Sequence, residues 1–183
     1  MNEREKLLRR GALKCADFAR ELSYHRALAE YAKDFTQSFW IYMYNNAIDL
    51  AVLDWFHLFG YHKDDLHWKR VVQEVDVFRN DLLKAVQMTE DEWKKYRTTI
   101  KDYRDKDVAH IQVRPIGQVP QMTVALRATA HYYSTVLEEL SSFRDYGGWP
   151  KQIEDYHRKS LEQTKTILSV SYQASRDIEE EVF

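Results

Sequence analysis

The 183-residue chain contains one cysteine, three prolines and five glycines. With Cys15 as its single thiol, no intramolecular disulfide can form, which excludes the cross-linked framework of small secreted domains and points to a reducing, cytoplasmic setting. So few turn-forming residues exclude an all-β sandwich or barrel, which needs glycine- and proline-bearing turns at short intervals. Positive charge is not in excess either: 27 Lys and Arg stand against 29 Asp and Glu, a net charge of −2. Proteins that grip nucleic acid by general electrostatics are basic, so any such contact here must come from a local patch. Long apolar runs are also missing. The most apolar stretch, 35–60, carries Asn45, Asn46, Asp49, Asp54 and His57, each expensive inside a bilayer. The first twenty residues are too charged for the apolar core of a signal peptide. The expectation is a soluble chain with no membrane contact.

What remains is helix-forming material. Hydrophobic residues make up 44% of the chain and charged residues 31% in near balance, enough for one folded domain over 1–183. Leu8, Ala12, Cys15, Ala19 and Leu22 recur at steps of four and three, which predicts a first helix over about 3–31. A second helix, about 35–59, is apolar around most of its circumference. It is therefore expected to be central and most buried, with Gly60 as its C-cap. A third is expected over about 71–87. Thr89 and Glu92 form a capping-box pattern that opens a fourth, whose inner stripe is Trp93, Tyr96, Ile100 and Tyr103 and which should end at Pro115. A fifth covers about 122–143, with Tyr133, Leu137, Leu140 and Phe143 inward. After Gly147, Gly148, Trp149 and Pro150, a last helix starts near Lys151 with Ile153, Tyr156, Leu161 and Leu168 on one face. Short links between amphipathic helices predict an all-α, antiparallel bundle of five to six helices.

The inner stripe of the fourth helix changes character beyond Tyr103: its next positions are Asp107 and His110. A neighbouring row carries Arg97, Lys101, Arg104, Val108 and Ile111. Arg104 and His110 thus sit near the end of one helix, their directions differing by about 120° on a regular helix. A second copy of the helix would bring such groups together. Histidine exchanges a proton near neutral pH, and a guanidinium offers phosphate oxygens a permanently charged planar fork.

The wording from Tyr103 to Ile111, Tyr-Arg-Asp-Lys-Asp-Val-Ala-His-Ile, resembles the HEPN family, in particular its abortive-infection branch. That family is marked by an arginine, a polar residue next, and a histidine four to six residues beyond the arginine. Here Arg104 is followed by Asp105, and five residues separate it from His110. The proline-containing loop and the helix with Ala125, Ala128, Ala130, Tyr132 and Tyr133 also fit, so the likeness spans about 103–140. The resemblance implies a HEPN-like bundle that pairs as a homodimer and cuts single-stranded RNA without metal or cofactor, in a toxin or phage-defence setting with an antitoxin protein as partner. His110 would serve as acid or base, Arg104 would stabilise phosphate charge, and Asp105 would orient either. Tyr103, Lys106 and Arg114 would contact substrate. The pattern departs from some catalytic members at Gln112, where those carry tyrosine.

The bare spacing is not specific, since fourteen Arg and seven His produce it by chance, and Arg20 to His25 is such a match. The bland reading of Lys101 to Asp107 is a solvated helix face of paired charges. The rival function is a non-catalytic HEPN-like binding or scaffold protein with the same fold and dimer, whose polar residues at the two-fold serve structure or a ligand. Charge is what separates the two. Arg97, Lys101, Lys106 and Arg114 supply positive potential, and Asp102, Asp105 and Asp107 offset it. His57, His62 and His67, with Asp64 and Asp65, are spaced five apart rather than three or four, a poor match to helical metal sites. Trp40, Tyr42, Tyr44, Trp55, Phe56, Phe59 and Trp68 have helical spacing in an apolar segment and are read as core. Cys15 lies on an apolar stripe with nothing nearby to activate a thiolate.

Overall fold

Small residues on the first helix decide how the others gather. The computed structural model describes residues 1–108 and 119–180, the side chains of 107 and 108 excepted. In it α1 (Glu3–Leu28) is started by Asn2, whose side chain accepts from the Glu5 amide at 2.7 Å. Its buried row includes Gly11, Ala12, Cys15 and Ala19. Such small side chains let neighbours approach closely: a Cβ at Gly11 would lie 3.0 Å from the Tyr132 hydroxyl. Accordingly α1 packs against α2 (Ser38–Phe59), α6 (Thr123–Ser141) and α7 (Ile153–Ser175). It is α1, not α2, that forms the hub. One face of α2 does bury Ile48, Val52, Trp55 and Phe59, but Phe39, Ile41, Tyr42, Met43 and Leu50 are exposed.

The stretch expected to be a single helix over 71–87 is broken into α3 (Trp68–Val71) and α4 (Val75–Val86). Val72 is extended and closes α3, while the His67 side chain caps its start. The break lets Trp68 stack on Phe78 with ring centroids 5.0 Å apart. Next, α5 (Glu90–Tyr103) opens with the expected reciprocal cap: Glu92 N–H donates to Thr89 Oγ1 at 3.3 Å, and Thr89 N–H donates to the Glu92 carboxylate at 2.7 Å. Trp93, Ile100 and Tyr103 are buried beneath it. The helix then widens into a π turn over Arg104–Val108, which packs on α2. The expected end at Pro115 lies outside the described residues.

In α6, Tyr133 and Leu140 are buried as expected, but Phe143 is exposed because the helix has ended at Ser141. In α7, Ile153 and Leu168 are buried and Tyr156 and Leu161 partly so. The chain end returns to α2. Gln37 does not cap that helix with its own side chain. Instead the Glu180 carboxylate accepts from the amides of Ser38 at 2.6 Å and Phe39 at 2.9 Å, while Gln37 Nε2 donates to the carbonyls of Ser175 and Ile178. An acidic group at a helix N-terminus answers both the orphan amides and the helix dipole.

The described residues form an all-helical bundle of seven α-helices and one π turn, with no strand among them. Among the described residues, no helix is long and apolar enough to cross a membrane.

Candidate functional site

The row Arg97, Lys101 and Arg104 on α5 meets the C-terminal end of α2 and the link after it. Gly60 lets the end of α2 close tightly over its own last turn: a Cβ there would sit 2.3 Å from the Phe56 ring. Its φ is −82°, so glycine is required by the contact and not by a left-handed backbone. The Gly60 carbonyl accepts from Arg97 Nη2 at 2.9 Å. Burial pushes the pKa of that guanidinium down, and nearby Glu90 partly opposes the shift.

Arg104 is held from several sides. Its guanidinium carbon lies 4.1 Å from the centroid of the Phe56 ring and 5.0 Å from that of Tyr61. Nη2 donates to the Tyr61 hydroxyl at 2.9 Å and forms an ion pair with Asp105. Asp105 also receives Lys101 Nζ at 2.5 Å. Burial pushes the Asp105 carboxyl up, but the bond to Lys101 and the charges of Arg104 and Lys101 outweigh it, so the group is held below its ordinary value. Three charged side chains therefore sum to about one positive charge.

Beside this cluster opens a cleft of about 290 Å³, with Trp55 at its base and Phe56, Tyr61, His62, Arg97, Thr98 and Lys101 around it. Among the described residues, no carboxylate lines it. Among the described residues, three buried N–H donors at or next to the cleft have no acceptor: Trp55 Nε1, Arg97 Nε and Arg104 Nε. An unanswered donor in a buried place costs about 1–3 kcal/mol.

The structure brings together two of the residues expected in a site, Arg104 and Asp105. Tyr103 is buried, and its hydroxyl donates to Asp49 at 3.0 Å, so its ring serves the core as placed. Lys106 pairs with Asp102 at 3.4 Å, one turn back along the chain. His110 and Arg114 lie outside the described residues. The roles of Phe56 and Tyr61 were not legible, since helical spacing marked the first as core and the second fell in a link.

His67 and His57 each have a partner of their own. His67 is fully buried, its Nδ1 accepts from the Lys69 amide at 3.2 Å, and burial, with Arg97, His62 and Lys69 adding to it, lowers its pKa to about 3. His57 lies 3.5 Å from Asp64. The chance match Arg20 pairs with Asp17 at 2.7 Å. Among the described residues, no group of three or more His, Cys, Asp or Glu is placed to hold a metal. Cys15 is buried and its thiol is pushed up by burial.

Compared with family models, curated proteins and solved structures, the chain matches none.

Proposed function

We propose that the chain is a metal-independent endoribonuclease of the HEPN kind, acting on single-stranded RNA at a cleft shared by two copies. The observation that supports this reading best is the setting of Arg104. Its guanidinium is fixed by Tyr61, Phe56 and Asp105, at the edge of a carboxylate-free cleft with unanswered N–H donors. A preorganised cation of this kind stabilises charge developing on a phosphoryl oxygen in the transition state.

In the proposed reaction the ribose 2′-oxygen attacks the adjacent phosphorus and the 5′-oxygen leaves. The products are a 2′,3′-cyclic phosphate and a 5′-hydroxyl. His110 removes the 2′-proton or protonates the leaving oxygen, and its partner in the second copy supplies the complementary transfer. No side-chain nucleophile is needed. The biological setting that accompanies this reading is a toxin or phage-defence effector in the cytoplasm, restrained by an antitoxin protein.

The test is cleavage of single-stranded RNA in the presence of a chelator. The unaltered protein is expected to cut and leave cyclic phosphate ends, and His110→Ala to lose at least about 10²-fold in rate. Equal cleavage by both would remove the proposal.

A second reading, a non-catalytic binding or scaffold protein, is favoured by one observation. Met43, Leu50 and Ile167 are 41%, 48% and 64% exposed and line a mostly apolar groove of about 440 Å³ between α1, α2 and α7. Apolar surface of that kind marks partner sites. The same chelator assay separates the two readings, because a scaffold cuts nothing.

A further inference from the structure

We infer that the cleft between the end of α2 and the outer row of α5 is a nucleotide subsite, which holds the phosphate and base of an RNA residue next to the one at Arg104. The assignment to RNA rests on the ribonuclease reading above; the cleft's chemistry does not. Four observations carry it. The lining is cationic and aromatic, with Arg97 and Lys101 on one side and Tyr61 and His62 on the other, and it includes no carboxylate. The Nε–H groups of Trp55 and Arg97, both lining residues, have no acceptor. Tyr61 stays 48% exposed even with Arg104 against it, which leaves ring surface for a base. The volume, about 290 Å³, is at the small end for ligand sites, with room for one nucleotide unit rather than a strand.

The division of labour follows from the chemistry. A phosphate draws on the charges of Arg97 and Lys101, both of which line the cleft. A base has a π face whatever its identity, so stacking on Tyr61 is tolerant of sequence. Tyr61 and Phe56 are also the residues that hold Arg104, so a strand seated in the cleft enters the cluster directly. The site is thus built to set the register of the strand at Arg104 without reading its bases. It also reconciles an acidic protein with a polyanionic substrate. The net charge of −2 repels RNA weakly at long range, while one pocket without carboxylates attracts it locally.

The probe is a fluorescein-labelled octanucleotide of 2′-O-methyl uridine, which has no 2′-hydroxyl and cannot be cut. Its binding is followed by anisotropy over a salt series. Arg97→Gln is expected to weaken binding about tenfold and to lower the slope of log affinity against log salt by about 0.7, the value for one lost phosphate contact on a single strand. Because Arg97 also bonds the Gly60 carbonyl, a second variant guards against misfolding. Thr98→Glu places a carboxylate in the cleft wall at a helix-compatible position and is expected to weaken binding at least about tenfold. Thr166→Glu, the same neutral-to-acidic change at an exposed position of α7, is expected to bind like the unaltered chain. Failure of the unaltered chain to bind the probe, or unchanged binding by Thr98→Glu, overturns the subsite.

Cleavage of the all-ribose octanucleotide separates this inference from the one beneath it. Binding that Thr98→Glu weakens, with no cleavage by any form, leaves the subsite and removes the nuclease. Cleavage that His110→Ala abolishes, with binding indifferent to Thr98→Glu, leaves the nuclease and removes the subsite.

Discussion

Two charged clusters in this molecule answer their charges in opposite ways. At the start of α1, Glu5 is 2% exposed and fully engaged: the Tyr146 hydroxyl donates to its carboxylate at 2.8 Å and Arg144 Nε lies 2.5 Å from it. Burial pushes the carboxyl up, and the bonds from Tyr146 and Arg144 outweigh it and hold the group below its ordinary value. Next to it Arg4 makes a two-pronged bond to Glu139, which also receives Gln73 at 3.1 Å. At the end of α5, by contrast, the buried Nε donors of Arg97 and Arg104 have no acceptor among the described residues. The first cluster ties α1 to α6 and to the link between α6 and α7. The second leaves bonding capacity unused. Buried polar groups left unsatisfied in a folded protein call for an explanation, and ligand binding supplies one here.

The contrast can be broken by variants that exchange the expected consequences. The largest effect is expected from Arg104→Ala, which should lower RNA cleavage about 10²–10³-fold while shifting Tm less than the Glu5 variant below. Arg104→Lys should restore little, because a point ammonium replaces a planar fork. Cleavage rates and melting curves on the same preparations check both, and a Tm collapse with proportionate loss of activity would make Arg104 structural. Next in size, Glu5→Gln should lower Tm by roughly 2–4 °C, because a buried carboxylate loses its charge-assisted bonds from Tyr146 and the half-exposed Arg144. Its affinity for the octanucleotide should not change. Loss of binding there would dissolve the distinction between the two regions.

The smallest effect concerns acid. His67 titrates near 6.5 when unfolded and near 3 when folded, and His157 drops to about 4, through burial first and then the charge of Arg26. Between those values the unfolded chain binds more protons than the folded one. Stability is therefore intact above about pH 6.5 and is lost as pH falls toward 3. His67→Asn keeps a side-chain acceptor for α3 and should make that decline shallower, as read by urea midpoints at pH 7 and pH 4.5. An unchanged decline would exclude His67 from the acid response.

Much of the fold was legible because its signals are local. The Thr89–Glu92 cap, the stripe of Trp93, Ile100 and Tyr103, and the glycine closing α2 each involve residues within a turn or two of one another. Errors arose where tertiary packing decided. The apolar circumference of α2 suggested a central helix, but centrality went to α1, whose small side chains admit three neighbours. The break at 72–74 was hidden because Val71 and Val75 keep the hydrophobic pattern running while the backbone at Val72 is extended. For the site, the spacing on α5 marked Arg104 and Asp105. Phe56 and Tyr61, 43 or more residues earlier, act on Arg104 only once α2 and α5 meet. The angle derived for Arg104 and His110 assumed a regular helix, whereas the backbone over Arg104–Val108 is a π turn with a wider hydrogen-bond ring.

The carboxylate at the mouth of α2 has a consequence for biosynthesis. Ser38 is 142 residues away from the group that accepts its amide proton. While the ribosome is still extending the chain, the first turn of α2 has its sequence in place but not its cap. At about 5–20 residues per second, that interval lasts on the order of ten seconds. During it the first turn of α2, flanked by Phe39 and Tyr42, stays without its acidic cap until Glu180 emerges and docks.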